Sequence, residues 1–432
     1  MQNLSIDRIV GRVSKRLMWF VILLYCLAIL DRGAAGFAAV TMRRDLHLTA
    51  EMFGIGTGLF FLGYLTMEVP SNIALQRFGA KIWISRITFT WGIVVAAMAL
   101  AVGAQSFYGF RFLLGIAEAG LFPGIVYYMT LWFPKAYRAR YFAIFMTAIP
   151  ATIALAAPIS TSILRLDGWL GLSGWQWIFV LEGFPSVIAG VVSWFYLTDA
   201  PANARWLSPE ERDYLIAYLE REEAEKSAPK PRSTLHALAD PRVITLGLVY
   251  GSINIGLTMA ANWMPQVVHG IFNSNAPVGI IIAIPFVLAA AAMMYWGRHS
   301  DLKGERILHS ASALALSGGG WILSGLESNP VLIFGGLTVA IVCLYASMGV
   351  FWAIPPAYLS GKSSASGIAL VSAMGSLAAA LSPGIVGYIK DSSGSFGFAL
   401  LLIGLVSLVG ALLLVALKMQ KASTGVGKVE AT

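Results

Sequence analysis

"TDAPANARWLSPEERDYLIAYLEREEAEKSAPKPRSTLHALAD", residues 198–240, is the one long polar stretch in an otherwise apolar chain of 432 residues. Ser208 offers a helix N-cap, Pro209 suits the first helical position, and Glu211 completes a capping box. The charged run to Lys226 then reads as a surface helix, and "SAPKPRS" (227–233) as its extended exit. A solvated connector of this kind splits the chain into two apolar blocks. Working outward from it decides the fold.

Of all residues 57% are hydrophobic and 12% charged, against about 25% charged in a soluble domain. At roughly 20 apolar residues per crossing, each block holds six spans. They are expected near 17–40, 52–76, 82–104, 106–132, 141–165 and 175–197, then 243–268, 278–298, 307–325, 331–354, 365–389 and 396–418. The fold class is therefore an all-α membrane protein of twelve transmembrane helices in two six-helix halves. Its segments are 1–16, 17–197, 198–242, 243–418 and 419–432: a cytoplasmic start, the first half, the linker, the second half and a cytoplasmic tail.

The net charge of +8 reports orientation, not a nucleic-acid partner. Of 30 Lys and Arg residues, 24 fall on the linker side of the spans, Arg32 and Arg111 fall inside them, and only Arg43, Arg44, Arg165 and Lys390 remain opposite. By the positive-inside rule both termini and the linker are cytoplasmic. The first sixteen residues lead into a full-length span without a small-residue cleavage site, unlike a removable signal peptide. Cys26 and Cys343 both lie in spans, and the five histidines show no ligand-like spacing, so neither a disulfide framework nor a metal site is expected.

A charge at mid-membrane costs about 2.5–3.5 kcal/mol, so its default reading is functional. The first six spans hold Asp31, Arg32, Glu68, Arg111, Glu118 and Glu182, whereas the last six hold polar groups such as Asn254, Asn262, Ser372 and Ser376. Asp31 and Arg32 are neighbours and point about 100° apart, so each needs a partner from another helix. Arg111 and Glu118 are two turns apart on one stripe of span 4, and the rise per residue brings the level of Arg111 to that of Asp31 and Arg32. These positions predict one ionic cluster of Asp31, Arg32, Arg111 and Glu118 around a central cavity, the bases holding a carboxylate and the acids carrying protons. Glu68, near the inner end of span 2, reads as a gate or helix-contact residue, and Glu182 in the same way. Tyr127, Tyr128 and Trp132 read as an interfacial belt. Asn254 is assigned to the substrate side of the cavity. Ser372 and Ser376 share one face, either to meet substrate hydroxyls or to pack helices.

An internal repeat supports two halves. "NIALQRFGAK" (72–81) follows span 2 and "GRHSDLKGER" (297–306) follows span 8, each with glycine at the eighth place and a base at the tenth. Here the chain resembles the major facilitator superfamily. That resemblance implies a gating latch at Gly297 and Asp301 and, in the first half, at Arg77. Asn72, Gln76 and Leu302 depart from the family loop. "LDRGAAG" in span 1, "GYLTMEVPSN" in span 2 and "RFLLGIAEAGLFPG" in span 4 are similar to the anion:cation symporter family, which includes bacterial tartrate, galactonate, hexuronate and phthalate permeases; "GWQWIFVLEGFPS" and "AYLSGKSSASGIAL" carry the same flavour. The likeness implies a single-chain, proton-coupled symporter of the inner membrane importing a small organic carboxylate such as tartrate or galactonate. The proton is the coupling ion and no other cofactor is expected. Asp31 and Glu118 match its protonatable acids, Arg32 and Arg111 its carboxylate bases, and Tyr64 a substrate-contacting tyrosine. Ser372 and Ser376 stand where members often have asparagines, and span 5 lacks the glutamine of the galactonate type. An aromatic carboxylate is the alternative substrate. An uncoupled facilitator of neutral solutes would share the fold but leaves two bases and two acids at mid-depth unexplained. A ligand sensor would want an extra cytoplasmic segment, and an enzyme a nucleophile or metal motif.

Overall fold

The computed structural model describes residues 5–224, 240–272, 277–358 and 364–426, and among the described residues every regular element is a helix. Before the linker run α1 (Ile6–Asp45), α2 (Ala50–Phe78), α3 (Ala80–Ala97), α4 (Ala104–Glu118), α5 (Leu121–Trp132), α6 (Lys135–Ile163) and α7 (Gly174–Tyr196). The linker carries α8 (Pro209–Ala224). After it come α9 (Pro241–Asn262), α10 (Met264–Ile271), α11 (Val278–Lys303), α12 (Ile307–Leu326), α13 (Pro330–Phe351), α14 (Pro355–Tyr358), α15 (Ser364–Ser393) and α16 (Gly397–Val426). The expected extended exit at 227–233 and the end of the tail, 427–432, lie outside the described residues.

Eleven of these segments are long and apolar enough to cross a membrane. The twelfth expected span, 307–325, is present as α12, yet four serines and the run Gly318–Gly320 leave it more polar than the rest. Three of those serines, Ser310, Ser317 and Ser324, turn inward. Ser310 exchanges hydrogen bonds with Ser347, Ser317 donates to the Ala340 carbonyl, and Ser324 to that of Ile333. The polarity of α12 thus glues it to α13, as hydroxyls do between helices in lipid.

Several boundaries differ from expectation for physical reasons. Helix α1 begins at Ile6, not near 17. At 1.5 Å per residue its 40 residues reach ~60 Å, twice the ~30 Å apolar core, so it projects beyond the span. The projecting part is pinned to the linker, where Arg12 Nη1 meets Glu211 Oε2 at 2.6 Å. The capping box stands as expected, with Ser208 and Glu211 each accepting the other's backbone N–H at 3.2 Å. Span 4 is not continuous: it breaks at Ala119 and Gly120 into α4 and α5. Span 7 breaks likewise at Trp263, between α9 and α10.

Helices before the linker pack among themselves, chiefly α3 on α7 and α2 on α4, and those after it pair α12 with α13 and α16, and α9 with α15. The two sets meet along α2–α15 and α6–α11, with α1 against α9 and α10. The close approaches lie at the end far from the linker. A Cβ on Gly54 or Gly58 would overlap the carbonyl oxygen of Pro383 or Ala380, and one on Gly387 that of Ala50. Asp391 accepts the N–H groups of Ala50 and Glu51 at 3.0 and 2.7 Å, a carboxylate set on the first turn of α2. Phe53, Phe107, Trp263 and Phe396 add an aromatic plug with centroids 5.2–5.9 Å apart. The far end is therefore closed by direct packing of the two sets of helices.

A residue larger than glycine at 58 must part α2 from α15. Gly58→Val should lengthen the distance between spin labels at Met52 and Tyr388, at a cost of about 1–3 kcal/mol. An unchanged distance in a folded variant would mean the seal does not depend on this contact.

Candidate functional site

The break in span 4 builds the site. Ala119 leaves the helical region (ψ 133°) and Gly120 takes φ +87°, a left-handed conformation that favours glycine. A carbonyl freed in this way needs a new partner, and Ser71 of α2 donates to the Ala119 carbonyl at 2.6 Å while accepting from the Trp83 indole at 2.9 Å. Glu118 thus becomes the last residue of α4, held at the break. Interrupted helices of this kind commonly line membrane-embedded sites.

Arg32 of α1 donates through Nε to Glu118 Oε1 at 2.6 Å. The acid is fully buried, whereas the Arg32 side chain is 29% exposed. The other Glu118 oxygen, Oε2, is buried and without a hydrogen-bond partner. Two turns back along α4, Arg111 is 1% exposed, and its Nε and Nη1 have no partner either. The two guanidinium groups lie over one ring: Phe60 is 5.5 Å from Arg32 and 5.0 Å from Arg111, and Tyr64 is 5.3 Å from Arg32. Each contact is a cation–π geometry.

The opposite set of helices closes the group. Tyr250 of α9 lies within electrostatic reach of Arg32 and Glu68, and Tyr25 within that of Arg32, Glu118 and Tyr250. Tyr250 stacks on Phe351 and meets Trp352 edge-on. Asn254 donates to the Tyr250 carbonyl at 2.9 Å. On α15, a Cβ at Gly375 would meet the Tyr250 ring and Asn254, so Ser372 and Ser376, both half-buried, flank this contact. The cluster therefore has two cations, one fully buried acid and an aromatic wall.

The expected single cluster of four charges is not what forms. Asp31 faces away from Arg32, into α3 and α7, where its Oδ2 accepts from the Trp91 indole and the Ser186 hydroxyl, both at 2.7 Å. Successive helix positions diverge by about 100°, which sends the neighbours into two chambers. Asp31 is 1% exposed with Oδ1 unpartnered, and it keeps electrostatic contact with Glu118. Behind it Glu182, one turn before Ser186, accepts from Ser160 at 2.6 Å and lies within electrostatic reach of Asp31. The structure thus joins Arg32, Arg111, Glu118 and Tyr64, and sets Asp31 beside them in a pocket of its own.

Glu68 also moves from its expected place. It is half-buried and within electrostatic reach of Arg32, Tyr64 and Tyr250, at the ionic cluster instead of the inner end. Of the expected latch, Asp301 pairs with Arg306 of its own loop at 3.3 Å, Gly297 has open space around it, and exposed Arg77 lies over Phe78. The α2–α3 turn is held instead by Asp199, which accepts the Lys81 N–H at 2.8 Å. Of the expected belt Tyr127 is exposed, but Tyr128 and Trp132 are buried, with the Tyr128 hydroxyl donating to the Thr198 carbonyl, so these two pack against the linker entrance. Sequence reasoning missed Tyr25, Phe60 and Tyr250. Helical spacing could have found them, since they lie two turns before Arg32, one turn before Tyr64 and one turn before Asn254.

The sequence pattern of the Major Facilitator Superfamily matches residues 21–365. A protein of Agrobacterium vitis named "Putative tartrate transporter" is 43% identical over 98% of this chain and 97% of its own length. A "Quinolone resistance transporter" of Acinetobacter baumannii is 35% identical over 96% of each. Among solved structures, the inward open conformation of the xylose transporter XylE from E. coli superposes with a TM-score of 0.73 at 16% identity, covering 92% of this chain and 95% of that one.

Proposed function

This chain belongs to the Major Facilitator Superfamily, whose members found here are transporters and not enzymes, and from that premise we propose that it is a proton-coupled symporter importing a small organic anion. The observation that carries this reading is Arg111. A buried guanidinium with two partnerless N–H donors is expensive to keep at depth and calls for an anion. Arg32, tied to Glu118 yet partly exposed, supplies the second cationic contact. Guanidinium groups suit carboxylates because their forked donors match both oxygens.

Charge arithmetic supplies the coupling. Arg32 and Arg111 against Glu118 and Asp31 sum to zero when all are ionised. A monoanion brings the site to −1 and a proton on Glu118 restores neutrality; a dianion calls for two. A cell interior negative by 100 mV opposes anion influx by ~2.3 kcal/mol per charge, which inward proton flow offsets. Asp31, held only by neutral donors and with one free oxygen, serves as the second proton carrier. Tyr64, Asn254, Ser372 and Ser376 contact the substrate. Its class is a hydroxy-carboxylate or sugar acid, supported by the name of the Agrobacterium vitis relative. The ring wall of Tyr25, Phe60, Tyr64 and Tyr250 favours an aromatic carboxylate as the second reading.

In this account twelve spans cross the inner membrane as a monomer with both termini cytoplasmic, and the linker divides two six-helix units that rock about the site. Arg77, Gly297 and Asp301 belong to the gate at the linker end, and Glu68 gates from beside Arg32 and Tyr64. The test is uptake of labelled tartrate, galactonate, glucuronate and phthalate into proteoliposomes. A gradient of one pH unit, worth about 1.4 kcal/mol per proton, should concentrate one of them about tenfold. Filling that stops at equal concentrations with or without the gradient would remove proton coupling.

A further inference from the structure

Four bases sit on the far side of the spans, where the positive-inside rule makes them scarce. They are not scattered. Arg43, Arg44 and Lys390 line one far-end cavity of about 810 Å³, between the end of α1, α10 and the α15–α16 turn. Arg165 lines a neighbouring cavity of about 340 Å³, and His269 borders both. Arg43 is fixed by Gln266, which accepts from Nη1 at 2.8 Å, and its buried Nε has no partner. Lys390 lies over the Phe396 ring at 5.1 Å and gives one of its three N–H donors to the Gly394 carbonyl. Glu327 is the one acid among the residues lining the larger cavity, and Arg44 is paired at the surface with Asp45.

We propose that this cavity is a second anion site, a far-end vestibule in which Arg43 and Lys390 collect a small carboxylate before the seal opens. The class of ligand rests on the organic-anion reading of the central site; the electrostatics of the vestibule do not. A cavity with a surplus of one sign of charge attracts the opposite ion and raises its arrival rate, and here Arg43, Arg44 and Lys390 outnumber Glu327. Its position beyond the seal at Gly54 and Gly58 separates it from Arg32 and Arg111, so it acts on capture from outside and leaves the central grip unchanged.

The test uses the full chain in phosphatidylcholine nanodiscs, with Cys26→Ala, Cys343→Ala and Gly270→Cys. Gly270 lines the cavity and a Cβ there meets nothing within 4 Å. A sulfonate-bearing methanethiosulfonate should label this cysteine faster than a trimethylammonium one by about fivefold, a preference that salt at about 1 M abolishes by screening. Arg43→Gln with Lys390→Gln should bring the ratio to about one. Millimolar tartrate should slow labelling where chloride of equal ionic strength does not, and should do so in an Arg111→Ala background as well. A ratio indifferent to Arg43 and Lys390 overturns the proposal. Protection by phosphatidylglycerol and not tartrate overturns it in favour of a lipid headgroup site. Protection that disappears with Arg111 overturns it too, by assigning the effect to the central cavity. Transport is not read in this experiment, so a failure here is distinct from a failure of the symport reading.

Discussion

Arg111→Ala is expected to weaken binding of every carboxylate substrate by about 10²- to 10³-fold, the 3–4 kcal/mol scale of removing one partner from a buried charge pair. The reason lies in what the guanidinium lacks. Its Nε and Nη1 are buried with no partner in the protein, so an arriving anion gains donors that no side chain already occupies. Titration calorimetry on the purified protein with tartrate measures the loss. Folding is checked by the melting temperature without substrate, which should hold or rise, because deleting an unpaired buried cation relieves a desolvation cost. Arg111→Lys should recover only part of the affinity, since an ammonium cannot present the bidentate fork. Undiminished affinity in the alanine variant would take Arg111 out of the site.

Glu118→Gln should abolish gradient-driven accumulation, a fall of about tenfold at one pH unit, while exchange of substrate across the membrane stays within about twofold. Glutamine keeps an oxygen to accept from Arg32 Nε, now at 2.6 Å from the carboxylate, but it cannot take up or release a proton. The binding geometry is thus largely preserved and only the coupling is removed. Accumulation and counterflow into proteoliposomes separate the two. Loss of both would make Glu118 a substrate-positioning residue, and loss of neither would move coupling to Asp31 and Glu182. The companion change Asp31→Asn tests that pocket without touching Arg32, because its partners are Trp91 and Ser186.

Much of this architecture is legible in the sequence because lipid imposes one strong rule, and the polar linker marks the division without ambiguity. The pairing of Arg32 with span 4 also follows from charge scarcity: few partners exist at that depth. What escapes is direction. The adjacent letters of Asp31 and Arg32 suggest one cluster, yet a turn of 100° assigns the acid to Trp91 and the base to Glu118. The break after Glu118 escapes for a similar reason. It depends on Ser71, 48 residues earlier, accepting the role of partner for the Ala119 carbonyl. The placement of Glu68 beside Tyr250 likewise needs the second set of helices, which no local periodicity reveals.

The far-end closure has a mechanical corollary. Gly54, Gly58 and Gly387 lie directly on main-chain oxygens of the neighbouring helix, so along this line of α2 and α15, beside the aromatic plug, there are few interlocked side chains to withdraw when the helices separate. Such a joint behaves as a smooth bearing and not a zipper. It can close tightly and still part without first unpicking a row of knobs, which suits a device that must open and shut repeatedly.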